Sequence, residues 1–112
     1  MTAQKNGRTL SNQQLKAMRS IAHQLKPVVT VAQNGLTDGV NREIDQALER
    51  HELIKLKVAV EDRTARQQIC EQICRTMGAE LIQSIGSVVV LHRAAHKPDP
   101  RLSNLLRFRD QP

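Results

Sequence analysis

The sequence predicts an α/β protein, a compact sandwich with the element order α-β-α-β-α-β-β and a mixed four-stranded sheet. Three observations point there. Apolar residues recur at helical spacing in three segments, each introduced by a capping residue. Between and after these segments lie short β-branched or alternating runs of strand length. Helices that alternate with strands call for right-handed crossovers and partly parallel pairing, whereas the last two strands are joined only by a glycine turn and form an antiparallel hairpin. With 112 residues, 39% of them hydrophobic and 25% charged, the chain has room for one domain with its own core.

Ser11 and Gln14 form an S-x-x-Q capping box, and Leu15, Met18, Ala22 and Leu25 then mark one face of a first helix. Pro27 is expected to end it, because the residue before a proline avoids the helical region. Val28 to Val31 is a short β-branched strand, and Ala32-Gln33-Asn34-Gly35 reads as the turn after it. Thr37 caps a second helix with Asp38 in its first turn and Val40, Ile44, Ala47, Leu48 and His51 on its inner face. Ile54, Leu56, Val58 and Val60 alternate with Lys55, Lys57 and Ala59 as a half-buried strand. Asp62 caps a third helix with Ala65, Ile69, Ile73 and Met77 inside, and Gly78 stops it. Leu81 to Ile85 and Ser87 to Leu91 make the closing hairpin around Gly86.

The division into domains follows. Residues 1–10 are polar and expected to be flexible, residues 11–95 form the domain, and residues 96–112 form a basic, mostly disordered tail in which Leu102, Leu105 and Leu106 can make a short helical turn. No apolar run approaches the ~20 residues of a membrane span, and Met1 to Leu10 lacks the apolar stretch of a secretory signal. A cytoplasmic, monomeric protein without membrane association is the expectation.

The net charge of +6 and pI near 10.0 indicate an anionic partner. Its distribution is more informative. Residues 1–37 carry Lys5, Arg8, Lys16, Arg19 and Lys26 and no acid, whereas residues 38–71 carry eight acids against six bases. The positive potential belongs to the first third and the tail. Phe108 is the only aromatic residue, so recognition by stacking bases on aromatic platforms is excluded as the main mode. RNA binding must then rest on backbone clamping, phosphate contacts and shape.

Two features fit that mode. The segment Ala32-Gln33-Asn34-Gly35-Leu36-Thr37 runs from a strand end through an Asn-Gly turn to a helix N-terminus, where unpaired N–H groups and the helix dipole attract phosphate. Lys16, Arg19, His23 and Lys26 fall in one stripe beside the apolar face of the first helix, uninterrupted by an acid. Each also has a plain reading, since Asn-Gly is a common turn and a basic stripe is often a solvated face.

Cys70 and Cys74 lie one helical turn apart on the shoulder of the third helix. No second ligand pair accompanies them, so they read as small buried hydrophobes rather than a metal or redox site. No Ser-His-Asp order, phosphate-binding glycine loop or H-E-x-x-H helix is present, and Glu43, Asp45 and Glu49 read as exposed helix surface. A non-enzymatic protein with no cofactor is expected.

Several runs together resemble the CRM domain, and more narrowly its bacterial stand-alone form, the YhbY family: Ala22-His23-Gln24-Leu25-Lys26-Pro27-Val28-Val29, then Asn34-Gly35-Leu36-Thr37, then His51-Glu52-Leu53-Ile54-Lys55-Leu56-Lys57-Val58, and Ile85-Gly86-Ser87-Val88-Val89-Val90-Leu91 with Arg93. The resemblance spans about residues 11–95. It implies a fold similar to the C-terminal domain of translation initiation factor three, and binding of highly structured RNA, in bacteria within precursors of the large ribosomal subunit. The family's KH-like G-x-x-G loop maps to Ala32, Gln33, Asn34 and Gly35. This sequence departs from the pattern at Ala32, where the first glycine stands, at Gln33, where lysine is common, at His92, where tyrosine is usual, and at Ser87, which often has a basic counterpart. The expected RNA contacts are therefore Lys16, Arg19, Lys26, Ala32, Gln33, Asn34, Gly35, Leu36, Thr37 and Arg93. The rival reading is a protein-binding adaptor that docks through the first helix or the leucine-bearing tail on a ribosomal protein or assembly factor.

Overall fold

The computed structural model describes residues 10–108. Helix α1 (Asn12–Ala22) begins as its capping box requires: the Ser11 hydroxyl accepts from the Gln14 N–H at 3.1 Å and the Gln14 side chain accepts from the Ser11 N–H at 2.7 Å. It ends earlier than Pro27 alone implies. Tight bonds from Gln24 to Ile21 and from Leu25 to Ala22 close the last turn, so Lys26 lies in the connection after the helix. Strand β1 (Val29–Val31) and helix α2 (Asp38–His51) follow, the latter capped by Thr37, whose hydroxyl accepts from the Val40 N–H.

Strand β2 (Leu53–Val58) leads to helix α3 (Arg63–Met77), capped by the Asp62 carboxylate on the Ala65 N–H at 2.8 Å. Gly78 ends α3 at φ +64°, a left-handed conformation that glycine adopts without penalty. Strands β3 (Glu80–Ile85) and β4 (Val88–His92) form the hairpin. The sheet runs β1-β2-β4-β3, with β1 parallel to β2 and both pairs involving β4 antiparallel, the mixed sheet expected. A register shift in β3 leaves Ile82 between the pairs Leu81–Leu91 and Gln83–Val90 and turns its side chain into the core.

Alternation along the strands gives each face of the sheet its own core. Ile54, Leu56 and Val58 of β2 join Val29, Val31, Val89 and Leu91 beneath Ile44 and Leu48 of α2 and Ile73 of α3. Cys70 is buried in this core and Cys74 packs against it. On the other face Leu53, Ile82 and Val90 meet Met18 and Ala22 of α1, with Leu10, Leu15 and Leu25 around them. Among the described residues no helix is long and apolar enough to cross a membrane.

The C-terminal segment departs from the disordered tail expected from residue 96. Up to Phe108 it is folded back on the domain and ends in helix α4 (Asn104–Phe108), whose Leu105 packs into the core under α1. The anchor is Glu52, the residue that closes α2. Its buried carboxylate accepts from the Ser103 hydroxyl at 2.6 Å and from the Ala95 N–H at 2.8 Å. Asn104 donates to the Leu53 carbonyl at 2.7 Å, and the His51 Nδ1–H donates to the Leu102 carbonyl at 2.8 Å. Three prolines and sparse apolar periodicity hid this docking, because it is made by polar side chains to groups about fifty residues away. Residues 1–9, expected to be flexible, and residues 109–112 lie outside the described residues.

Candidate nucleic-acid interface

The parallel β1–β2 pair and its crossover bring the loop 32–37 to the end of the sheet shared by Val58, Val88 and the hairpin turn. There it makes a tight turn, with the Gly35 N–H donating to the Ala32 carbonyl at 2.9 Å and Gly35 at φ +74°. The Gly35 N–H is thus engaged within the loop and not presented to a ligand. Thr37 takes the Val40 N–H, which leaves the Asp38 and Gly39 N–H groups as the orphan donors of the helix start. Leu36 turns inward and packs against the core. The Gln33 side chain accepts from the Glu61 N–H at 3.3 Å and so ties the loop to the β2–α3 connection. Asp38, Glu61 and Asp62 therefore stand around the loop, and their charge opposes a phosphate there.

The basic stripe has a different setting. Lys16 and Arg19 of α1, with His23 at its C-cap, form one wall of a groove of about 520 Å³. Its other wall is the sheet, with Lys55 of β2, Val88 and Val90 of β4, and Gln83 and Ile85 of β3. Among the described residues no acid lines it. Ile85 is 65% exposed at its rim, an apolar surface beside cations. The groove is therefore positive, open and floored largely by aliphatic side chains, a surface whose chemistry suits phosphates along one wall and apolar faces along the other.

Lys55 is the residue that the sequence reading left out. In sequence it is only a polar position in an alternating strand, and so is Lys57, exposed on the same face two residues on. Alternation puts both on the side opposite Ile54 and Leu56, and that signal was available. Which helix covers that side was not.

Lys26 and Arg93 do not join the groove. Lys26 sits on the far side of Lys55, beside α4. Arg93 follows the end of β4 that pairs with Leu53, the opposite end of the sheet from the loop. Its side chain is 18% exposed and its guanidinium is held by the Asp45 carboxylate at 2.9 Å, the Asp45 carbonyl at 3.1 Å, the Met77 carbonyl at 3.2 Å and Glu49 at 3.5 Å. Asp45 and Glu49, read from sequence as plain helix surface, are the acids that hold it.

His92 faces the α1 side between Glu80 of β3 and the β2 strand. Burial pushes its imidazole below the ordinary value of 6.5, and the Glu80 and Glu52 carboxylates offset this only in part. The folded state therefore binds this proton less readily than the unfolded chain, so stability falls as pH drops through about 6.5. Melting curves at pH 7.5 and 5.5 are expected to show a loss for the wild type that His92→Gln reduces. An equal loss in both proteins rejects this assignment.

Comparison with known proteins agrees with this architecture. The family model for the CRS1 / YhbY (CRM) domain matches residues 10–93. A protein of Pseudomonas aeruginosa named "Probable RNA-binding protein" is 44% identical over 99 residues, which cover 88% of this chain and 95% of the relative. A protein of Haemophilus influenzae named "RNA-binding protein" is 46% identical over 89 residues, 80% of this chain and 90% of its own length. The solution structure of a hypothetical protein from Staphylococcus aureus superposes with a TM-score of 0.69 at 29% identity, covering 80% of this chain and 93% of that one. The chain belongs to the CRS1/YhbY (CRM) domain family.

Proposed function

We propose that this protein is a non-catalytic, cytoplasmic, monomeric RNA-binding factor that associates with structured ribosomal RNA in precursors of the large subunit. The observation that carries the reading is the acid-free groove between α1 and the sheet, in which Lys16, Arg19 and Lys55 face one another across an aliphatic floor. The names of the relatives support the same partner class. Lys16, Arg19 and Lys55 neutralise successive phosphates of a strand lying in the groove. The orphan N–H groups at the start of α2, reached through Asn34 and Gly35, supply a weaker contact at the end of the sheet, where Ala32 and Gln33 add no charge. Arg93 has a structural role in this scheme. The adaptor reading keeps only a small surface on the tail, because Leu105 packs against the core beside α1 and, among the described leucines of the tail, Leu102 alone is exposed.

The test is a titration with a structured fragment of large-subunit ribosomal RNA at 50 to 200 mM salt. Four or five engaged phosphates give a slope of about −3 to −4.5 in log affinity against log salt. A flat response rejects the mechanism. Crosslinking in cells followed by sequencing is expected to enrich precursors of large-subunit RNA, and reads without that enrichment reject the assembly role.

A further inference from the structure

A second basic pocket, of about 210 Å³, opens beside Lys55 between the α1–β1 connection, the end of α2 and α4. Lys26 from the α1–β1 connection, His51 at the end of α2, Lys55 of β2 and Arg107 of α4 line it over the apolar Leu25 and Ile54. Among the described residues no Asp or Glu lines it. Three cations brought to one pocket repel one another, and an anion seated between them relieves that repulsion.

The cations are held from behind. Asn104 donates its amide to the Leu53 carbonyl at 2.7 Å, and its Oδ1 accepts from Arg107 Nη1 at 3.3 Å. The carbonyl partner fixes the amide orientation, because only the NH₂ group can donate to it, and so leaves Oδ1 for the guanidinium. His51 is fixed likewise, since the Leu102 carbonyl requires the proton on Nδ1 and leaves Nε2 as the free ring nitrogen. The Val28 N–H donates to the Lys55 carbonyl at 2.9 Å, which joins the connection carrying Lys26 to the strand carrying Lys55.

We infer that this pocket binds a backbone phosphate of the same RNA strand that lies in the α1 groove, with Arg107 of the folded-back helix supplying the third cation. The inference rests on the RNA-binding reading above and extends it to a segment outside the matched residues 10–93. Lys55 lines both cavities and makes them one track across the sheet. The C-terminal segment is then a positioned part of the RNA surface and not a loose source of positive charge.

The experiment uses the full chain and the structured large-subunit RNA fragment at 0.1 M salt. Arg107→Glu is expected to weaken binding about five- to tenfold and to lower the salt slope by nearly one unit, the effect of one lost phosphate contact. Lys97→Glu makes the same charge change on the same segment away from the pocket and is expected to weaken binding less than about twofold. Asn104→Ala, which changes no charge, moves affinity in the direction of Arg107→Glu. Arg107→Gln serves if the reversal disturbs folding, with melting curves recorded for every variant. Equal losses for Arg107→Glu and Lys97→Glu overturn the inference in favour of diffuse attraction. If Lys16→Glu weakens binding and Arg107→Glu does not, the pocket fails while the RNA-binding reading stands. No binding by the wild type rejects both. A pocket that takes inorganic phosphate, seen as chemical-shift changes at Lys55 and Arg107, while Arg107→Glu leaves RNA affinity intact, also overturns it.

Discussion

Reversing Lys16, Arg19 and Lys55 together to Glu is expected to lower RNA affinity by at least about a hundredfold at 0.1 M salt and to remove at least two units from the salt slope. Each phosphate contact contributes about 0.7 to 0.9 units of slope through counterion release, so three lost contacts account for the change. The comparison that gives the result meaning is Arg42→Glu, Arg50→Glu and Arg75→Glu. These residues are exposed on α2 and α3, on the other side of the sheet, and the triple variant removes the same six units of charge. If net charge alone draws the RNA, both triple variants lose affinity alike. If the groove is the site, the α2 and α3 variant keeps most of it. An adaptor that docks through apolar residues loses RNA affinity in neither, because it has none to lose.

That pair of variants also marks where the sequence stops being readable. The elements were legible because their ends are written locally: Ser11 with Gln14, Thr37, Asp62 and Gly78 each decide a terminus by chemistry within a few residues. Strand alternation likewise announced the two faces of β2. What local pattern does not carry is which helix lies over which face. Lys55 becomes a groove residue only because α1 packs on Leu53, Ile82 and Val90 and leaves the neighbouring part of that face open. Arg93 was expected to bind RNA by its place in the family-like hairpin, yet Asp45 and Glu49, nearly fifty residues earlier, hold its guanidinium inward. The Gly35 loop sat next to the basic stripe along the chain, but the crossover carries it to another end of the sheet among Asp38, Glu61 and Asp62. The turn was read correctly; its electrostatic surroundings come from segments far away in sequence.

Glu52→Ala is expected to destabilise the fold by about 2 to 4 kcal/mol. Glu52 is the one described non-glycine residue with positive φ, at +61°, a conformation that costs roughly 1 to 3 kcal/mol unless the surroundings hold it. Its surroundings do. The N–H donates to the Leu48 carbonyl, its own carbonyl accepts from the Arg93 N–H, and its carboxylate takes Ser103 and the Ala95 N–H. Alanine keeps the strained backbone and deletes the acceptor, leaving the proton of the buried Ser103 hydroxyl and the half-buried Ala95 N–H without an acceptor, although the hydroxyl oxygen still accepts from the Leu106 N–H. Glycine at the same position loses the same bonds but relieves the strain, so Glu52→Gly is expected to be more stable than Glu52→Ala by roughly 1 kcal/mol. Both changes release residues 94–108, which limited proteolysis with trypsin detects as faster cleavage after Arg101 and Arg107. If the alanine variant melts like the wild type and its C-terminal segment stays protected, the carboxylate is not the anchor. The same release takes Arg107 away from Lys26 and Lys55, so a folded Glu52→Gly protein is expected to bind RNA more weakly although no cation has been removed.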